Sequence, residues 1–309
     1  MRFKKIEGLI AATFAPYNGK GEINPNILSN YAYSLKTNGI KGVFINGTTG
    51  EGASLNLEEK QILMQAWARE QTEAFKVMAM LGGTNQKESI ILGKLAADLG
   101  LYGVAVTAPY YFRPGNVIQL VDYMQPIAAT APDLAFYFYH IPLLTKVDLP
   151  MVGLLEAVTD KIPNFAGIKY THHNLMEFNQ CLRFNHGSYD VLWGWDETFL
   201  AGLAMGAKGA VGSTYNFAAP LYQGIKKAFD GGDLLKALAL QEKSIDFINL
   251  YGRFGGPAAG KAILKLCGID CGDFRAPVKN LDPKMLDTLK AQLMAQGFFD
   301  FSNLNTQDS

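Results

Sequence analysis

Lys169 interrupts an otherwise apolar run, Phe165-Ala166-Gly167-Ile168-Lys169-Tyr170. A lysine in a dry strand is costly to keep charged, so its pKa falls. The neutral amine is a nucleophile that condenses with ketones to form Schiff bases. Tyr139 closes a second such run, Phe136-Tyr137-Phe138-Tyr139, one strand–helix unit earlier. Adjacent strands would set its phenol beside the amine, where a tuned phenol can shuttle protons. Gly47-Thr48-Thr49-Gly50 is a glycine-bounded turn at a strand-to-helix junction. Successive N–H groups near a helix start suit a carboxylate without any basic side chain. Asp196 and Glu197 offer adjacent acceptors for sugar hydroxyls. Each feature also has a plainer reading: a snorkelling lysine, a core aromatic, an ordinary turn, two acids opening a helix. A common location would favour chemistry.

The chain supplies that location. Short apolar runs rich in β-branched and aromatic residues fall at 8–13, 42–46, 77–81, 104–108, 135–141, 167–171, 191–195 and 210–214. Helix-period segments separate them. One spans 24–36, with Asn24 as N-cap and Pro25 at the first position; another spans 57–72, entered through Asn56 with Glu59 three residues on; a third spans 85–99. Others begin near 115, 149, 174, 197 and 216. Eight strand–helix units predict a closed (β/α)8 TIM barrel over 1–225. Helical patterns at 233–251, 260–267 and 283–296 predict a C-terminal helical extension, 226–309, packed on the barrel. Phe298-Phe299-Asp300-Phe301 reads as a packing anchor, and 303–309 as a frayed polar tail. In such a barrel the site lies where strands end. The candidates there are Thr48 and Thr49, Tyr110 and Tyr111, Tyr139 and His140, Lys169 and Thr171, Gly194, Asp196 and Glu197, then Ser213.

Composition removes other classes. The chain has 309 residues, 49% of them hydrophobic, with 28 basic and 28 acidic side chains. Zero net charge and no run of like charges disfavour nucleic-acid and membrane-surface partners. No apolar run is long enough to span a membrane, and the basic residues Arg2, Lys4 and Lys5 lead into a buried strand rather than a signal peptide. Cys181, Cys267 and Cys271 are too few for a disulfide scaffold and lack a partner pair for zinc, which fits a reduced, cytoplasmic setting. Gly255-Gly-Pro-Ala-Ala-Gly260-Lys261 mimics a phosphate loop, but Ala262 replaces the magnesium-binding hydroxyl and no strand precedes it. His172-His173 point to opposite faces and lack metal-ligand spacing, so no metal site is expected.

Taken together, Gly47-Thr48-Thr49-Gly50-Glu51, Tyr139-x-x-Pro142 and Gly167-Ile168-Lys169 resemble the pyruvate-dependent class I aldolases of the dihydrodipicolinate synthase/N-acetylneuraminate lyase family. The resemblance covers nearly the whole chain. It implies Lys169 as the Schiff-base lysine, Tyr139 and Thr48 as a proton relay completed by Tyr111 from a neighbouring subunit, and hence a homotetramer. Thr48 and Thr49 would hold a pyruvyl carboxylate. Thr171, Gly194, Asp196, Glu197 and Ser213 would hold the hydroxylated tail of a sialic acid, split to N-acetylmannosamine and pyruvate. No metal or organic cofactor is implied. Synthases of the family carry an arginine two residues after the motif proline, where Leu144 stands here beside Leu143, so aspartate semialdehyde is disfavoured. His140 departs from bacterial lyases, which often have Asn there. A sister aldolase acting on the semialdehyde or a 2-keto-3-deoxy sugar acid, a non-catalytic sugar or pyruvate binder, and a barrel enzyme for phosphorylated sugars stay open.

Overall fold

A computed structural model describes residues 3–303. Strands β1 (Gly8–Ala12), β2 (Gly42–Ile45), β3 (Lys76–Gly82), β4 (Gly103–Thr107), β5 (Ala135–His140), β6 (Phe165–Tyr170), β7 (Asp190–Trp193) and β8 (Gly209–Gly212) close in sequence order into one parallel barrel. β1 pairs with β8 to seal it. All eight runs expected from the sequence form strands. Most are buried throughout, which is why they read as continuous apolar runs rather than alternating ones. Side chains including Ile10, Phe44, Met78, Tyr137, Tyr139 and Leu192 fill the interior, while a larger apolar layer joins the outer strand faces to the helices.

Local signals set the helix starts. Asn56 and Glu59 exchange both bonds of a capping box at helix Leu57–Ala68. That helix ends at Ala68, short of 72, and beyond it the Gln71 side chain accepts N–H bonds from Val77 and Tyr102. Asn24 caps a 3-10 turn, Pro25–Ile27, which precedes helix Leu28–Thr37.

After helix Tyr215–Asp230 come helices Leu234–Arg253, Pro257–Leu266 and Pro283–Ala295. Phe298 is fully buried against Phe247 and Phe217, as an anchor should be. Asn303, expected to fray, is instead buried: its side chain accepts from Ala219 N–H and donates to the Tyr215 carbonyl, and its own N–H donates to the Phe217 carbonyl. The rest of that tail, 304–309, lies outside the described residues.

Candidate active site

β5 and β6 run side by side with Tyr139 paired to Lys169. The Lys169 side chain points into the barrel. Its Nζ sits 3.6 Å from the centre of the Tyr139 ring and 4.9 Å from that of Phe44, and the residue is 4% exposed. Among the described residues no carboxylate lies within ion-pair distance of it. The amine is therefore buried between two aromatic faces and held by no carboxylate that would compete with a ketone for it. Thr107 Oγ1 donates to the Tyr139 carbonyl at 3.0 Å and fixes that strand end. The Tyr139 hydroxyl lies 3.5 Å from Thr48 Oγ1, so Tyr139 touches threonine with its hydroxyl and the amine with its ring.

Thr48 lies in the expected turn between β2 and the helix that opens at Leu57; residues 48–54 make consecutive turns. Asn46 and Glu51 both take left-handed backbone conformations, φ +58° and +54°, which curl the loop on itself. Within the described residues the N–H groups of Thr48 and Thr49 make no hydrogen bond, so both stay available to an anion. The curl is held from the far end of the chain. Lys261 Nζ donates to Glu51 Oε1 at 2.8 Å, with the two side chains 3% and 5% exposed. Arg275 N–H donates to Glu51 Oε2 at 3.0 Å, while the Arg275 guanidinium grips both oxygens of Glu59. Tyr17 packs its ring under Lys261 and Arg275. Burial pulls the Lys261 ammonium below the usual lysine range, against the attraction of Glu51. The lysine of the phosphate-loop mimic is thus a structural brace.

The acids after β7 face β8. Asp196 Oδ2 accepts from the Thr214 N–H at 2.9 Å and from its hydroxyl at 2.7 Å, while Oδ1 is buried without a partner. Burial raises the Asp196 carboxyl; the Thr214 bonds and the Lys169 charge oppose it. Gly212 is required here, because a Cβ would stand 1.9 Å from Asp196 Oδ1. Gly194 has the same reason: a Cβ would stand 2.0 Å from Thr171 Oγ1, itself buried and unpartnered. Burial and the neighbouring Asp196 push Glu197 up to about 7. Ser213 is half-buried, and its carbonyl accepts from Asn216 Nδ2 at 2.7 Å.

The Dihydrodipicolinate synthetase family model matches residues 5–296. The chain belongs to that family. It is 39% identical over 306 residues to the N-acetylneuraminate lyase of Rattus norvegicus, covering 97% of this chain and 96% of the relative. Identity to that of Homo sapiens is 38% over the same coverage. Among solved structures, the Aliivibrio salmonicida N-acetylneuraminate lyase superposes with a TM-score of 0.93 at 35% identity, covering 96% of this chain and 98% of that one. The Proteus mirabilis enzyme gives 0.92 at 34%, covering 96% and 100%.

In this dihydrodipicolinate synthetase family member the expected site residues are not all brought together. Tyr111 is 78% exposed and touches the Phe112 ring, away from Tyr139. Leu143 and Leu144, on the short helix Pro142–Thr145, are both exposed. A cavity of about 730 Å³ opens beside Thr48, Thr107, Tyr110 and Tyr139, with Leu144 on its wall; Lys169 and Asp196 do not line it. Phe44 and Thr107 escaped the sequence reading, and so did the pairings of Glu51 with Lys261 and of Asp196 with Thr214. The three cysteines are free and buried, and burial pushes each thiol up to about 12. No helix among the described residues is long and apolar enough to cross a membrane.

His140 and His172 were not expected to meet, yet their rings lie 5.4 Å apart, with Asp148 beside them. β6 ends at Tyr170, so His172 and His173 lie in a bend and not on a strand: His172 turns to His140, and the tilted His173 ring lies 4.2 Å from that of Trp195. The partners of His172 stand on another strand end and another loop, a juxtaposition that the local spacing of His172-His173 does not carry. Burial, with a contribution from His172, pushes the His140 imidazole down to about 3.

Proposed function

We propose that this protein is a class I aldolase that cleaves N-acetylneuraminate to N-acetylmannosamine and pyruvate. The observation that carries the reading is the Lys169 amine, dry, unpaired and 3.6 Å from the Tyr139 ring centre. The lyase names of the relatives support the substrate. Lys169 Nζ adds to the C2 ketone of the open-chain sugar, and loss of water leaves an iminium. Tyr139, as phenolate, takes the C4 hydroxyl proton. The C3–C4 electron pair moves to the iminium, giving an enamine, and the sugar aldehyde departs. Protonation at C3 and hydrolysis release pyruvate and restore the lysine. The free N–H groups of Thr48 and Thr49 hold the pyruvyl carboxylate, and the Thr48 hydroxyl relays protons to Tyr139. Thr171 Oγ1 and Asp196 Oδ1, both buried without partners, fit hydroxyl groups of the substrate tail, alongside Gly194, Glu197 and Ser213. The iminium is the electron sink, so the reaction needs no metal or organic cofactor.

In this reading Tyr111 reaches the relay of a neighbouring subunit within a homotetramer, which its exposure permits. Three unpaired thiols suit a cytoplasmic setting. The apolar Leu143-Leu144 pair favours the sialic acid over aspartate semialdehyde, which brings a second carboxylate. The deciding experiment is a substrate profile. Release of N-acetylmannosamine from N-acetylneuraminate is expected; turnover only with aspartate semialdehyde and pyruvate would move the protein to the synthase branch.

Tyr139→Phe separates the phenol from the lysine. Turnover should fall by about 10²–10⁴-fold, the range for one lost acid–base group. Condensation of pyruvate with Lys169, read by borohydride trapping and mass spectrometry, should persist. A variant with unchanged kcat would remove Tyr139 from the proton path.

A further inference from the structure

Outside the barrel mouth, three potential ligands converge. His140 closes β5, Asp148 lies between helices Pro142–Thr145 and Met151–Val158, and His172 follows β6. One ligand atom from each lies within 4.8 Å of the other two, and His172 Nε2 is 3.8 Å from Asp148 Oδ1. His140 is 1% exposed, and its Nε2 is buried with no hydrogen-bond partner. An unmet polar atom in the interior is costly, so it marks a place where something is missing. The His140 ring packs against Phe138 and Tyr170, both in the outer apolar layer, so the cluster faces away from Lys169.

We propose that His140, His172 and Asp148 bind a divalent transition-metal ion, Zn²⁺ by preference, at a site separate from the aldolase centre. Two imidazoles and one carboxylate suit Zn²⁺ and its first-row neighbours over Mg²⁺ or Ca²⁺, which favour all-oxygen shells. Zinc–ligand bonds of about 2.0–2.2 Å set tetrahedral ligand atoms about 3.4 Å apart. Closing to that spacing takes rotation of the exposed Asp148 and of the partly exposed His172 onto the buried His140, and water completes the fourth position. The ion ties together the ends of β5 and β6, each one residue beyond a residue of the candidate site, Tyr139 and Thr171. It takes no part in bond cleavage.

Calorimetric titration of the full-length, chelator-stripped protein with Zn²⁺ tests this. One ion per chain with a dissociation constant on the order of micromolar is expected. His172→Asn and Asp148→Asn should each weaken it by at least about tenfold while leaving the melting temperature of the metal-free protein unchanged. Neither replaced side chain is fully buried, so folding is preserved. Co²⁺ in place of Zn²⁺ should give the visible absorption of a four-coordinate ion in the parent protein and lose it in His172→Asn. Binding that persists undiminished in both variants, or no binding up to about 1 mM Zn²⁺, overturns the site. Neither result bears on aldolase activity, which is measured separately without metal.

Discussion

Lys169→Ala will abolish turnover and, with it, the covalent capture of pyruvate. Incubation with pyruvate and borohydride should leave a stable mass adduct on the parent protein that maps to Lys169. The variant should take none. The loss should reach on the order of 10⁴-fold or more, because the step removed is bond formation itself and no other group substitutes. Lys169 is the amine enclosed in the barrel interior with Tyr139 and Phe44, whereas Lys60 and Lys261, the other buried lysines, are tied to Glu88 and Glu51. An adduct that maps elsewhere, or survives in the variant, would refute the Schiff-base assignment. Activity of the parent should survive exhaustive EDTA; loss restored by added metal would point to a metal-dependent aldolase instead.

Lys261→Met should unfold the protein at markedly lower urea, with a loss of about 3–5 kcal/mol. The substitution leaves Glu51 buried with the Arg275 N–H as its remaining donor. Burial pulls the Lys261 ammonium below its usual range despite the attraction of Glu51, and buried ion pairs in general return little net stability for their desolvation. Removing both charges is therefore expected to recover much of the loss, and Glu51→Gln combined with Lys261→Met should be more stable than Lys261→Met alone. A single variant within about 1 kcal/mol of the parent would show that the brace is dispensable. The single variant should also raise KM for pyruvate-containing substrates, since the loop bearing Thr48 loses its anchor.

The barrel was legible in the sequence because its strands are buried on both faces and its turns are punctuated by Gly and Asn. Phe165–Tyr170 shows why one site residue was legible as well: a lysine inside an apolar strand violates the local rule, and such violations cluster where chemistry occurs. Tyr139 followed from it by topology alone, since neighbouring strands of a parallel barrel keep register. The brace was illegible for the opposite reason. Glu51 and Lys261 are 210 residues apart, and Lys261 sat in a motif suggesting phosphate. Asp196 was visible as an acid, but its orientation depends on Thr214, 18 residues later and one strand over. The cluster of His140, Asp148 and His172 has no periodic spacing, because a strand end, a loop and a second strand end contribute one residue each.

The anchoring of the Thr48 loop also bears on the order in which the molecule can mature. Glu51 emerges early in synthesis, yet Lys261 and Arg275 follow it by 210 and 224 residues. A nascent polypeptide that has already completed β2 and even β8 still lacks the groups that fix the carboxylate cradle. Ribosome-bound intermediates that have not yet released the segment bearing Lys261 and Arg275 would thus hold the reactive amine before they hold a shaped pocket around it, and catalytic competence would wait for that segment.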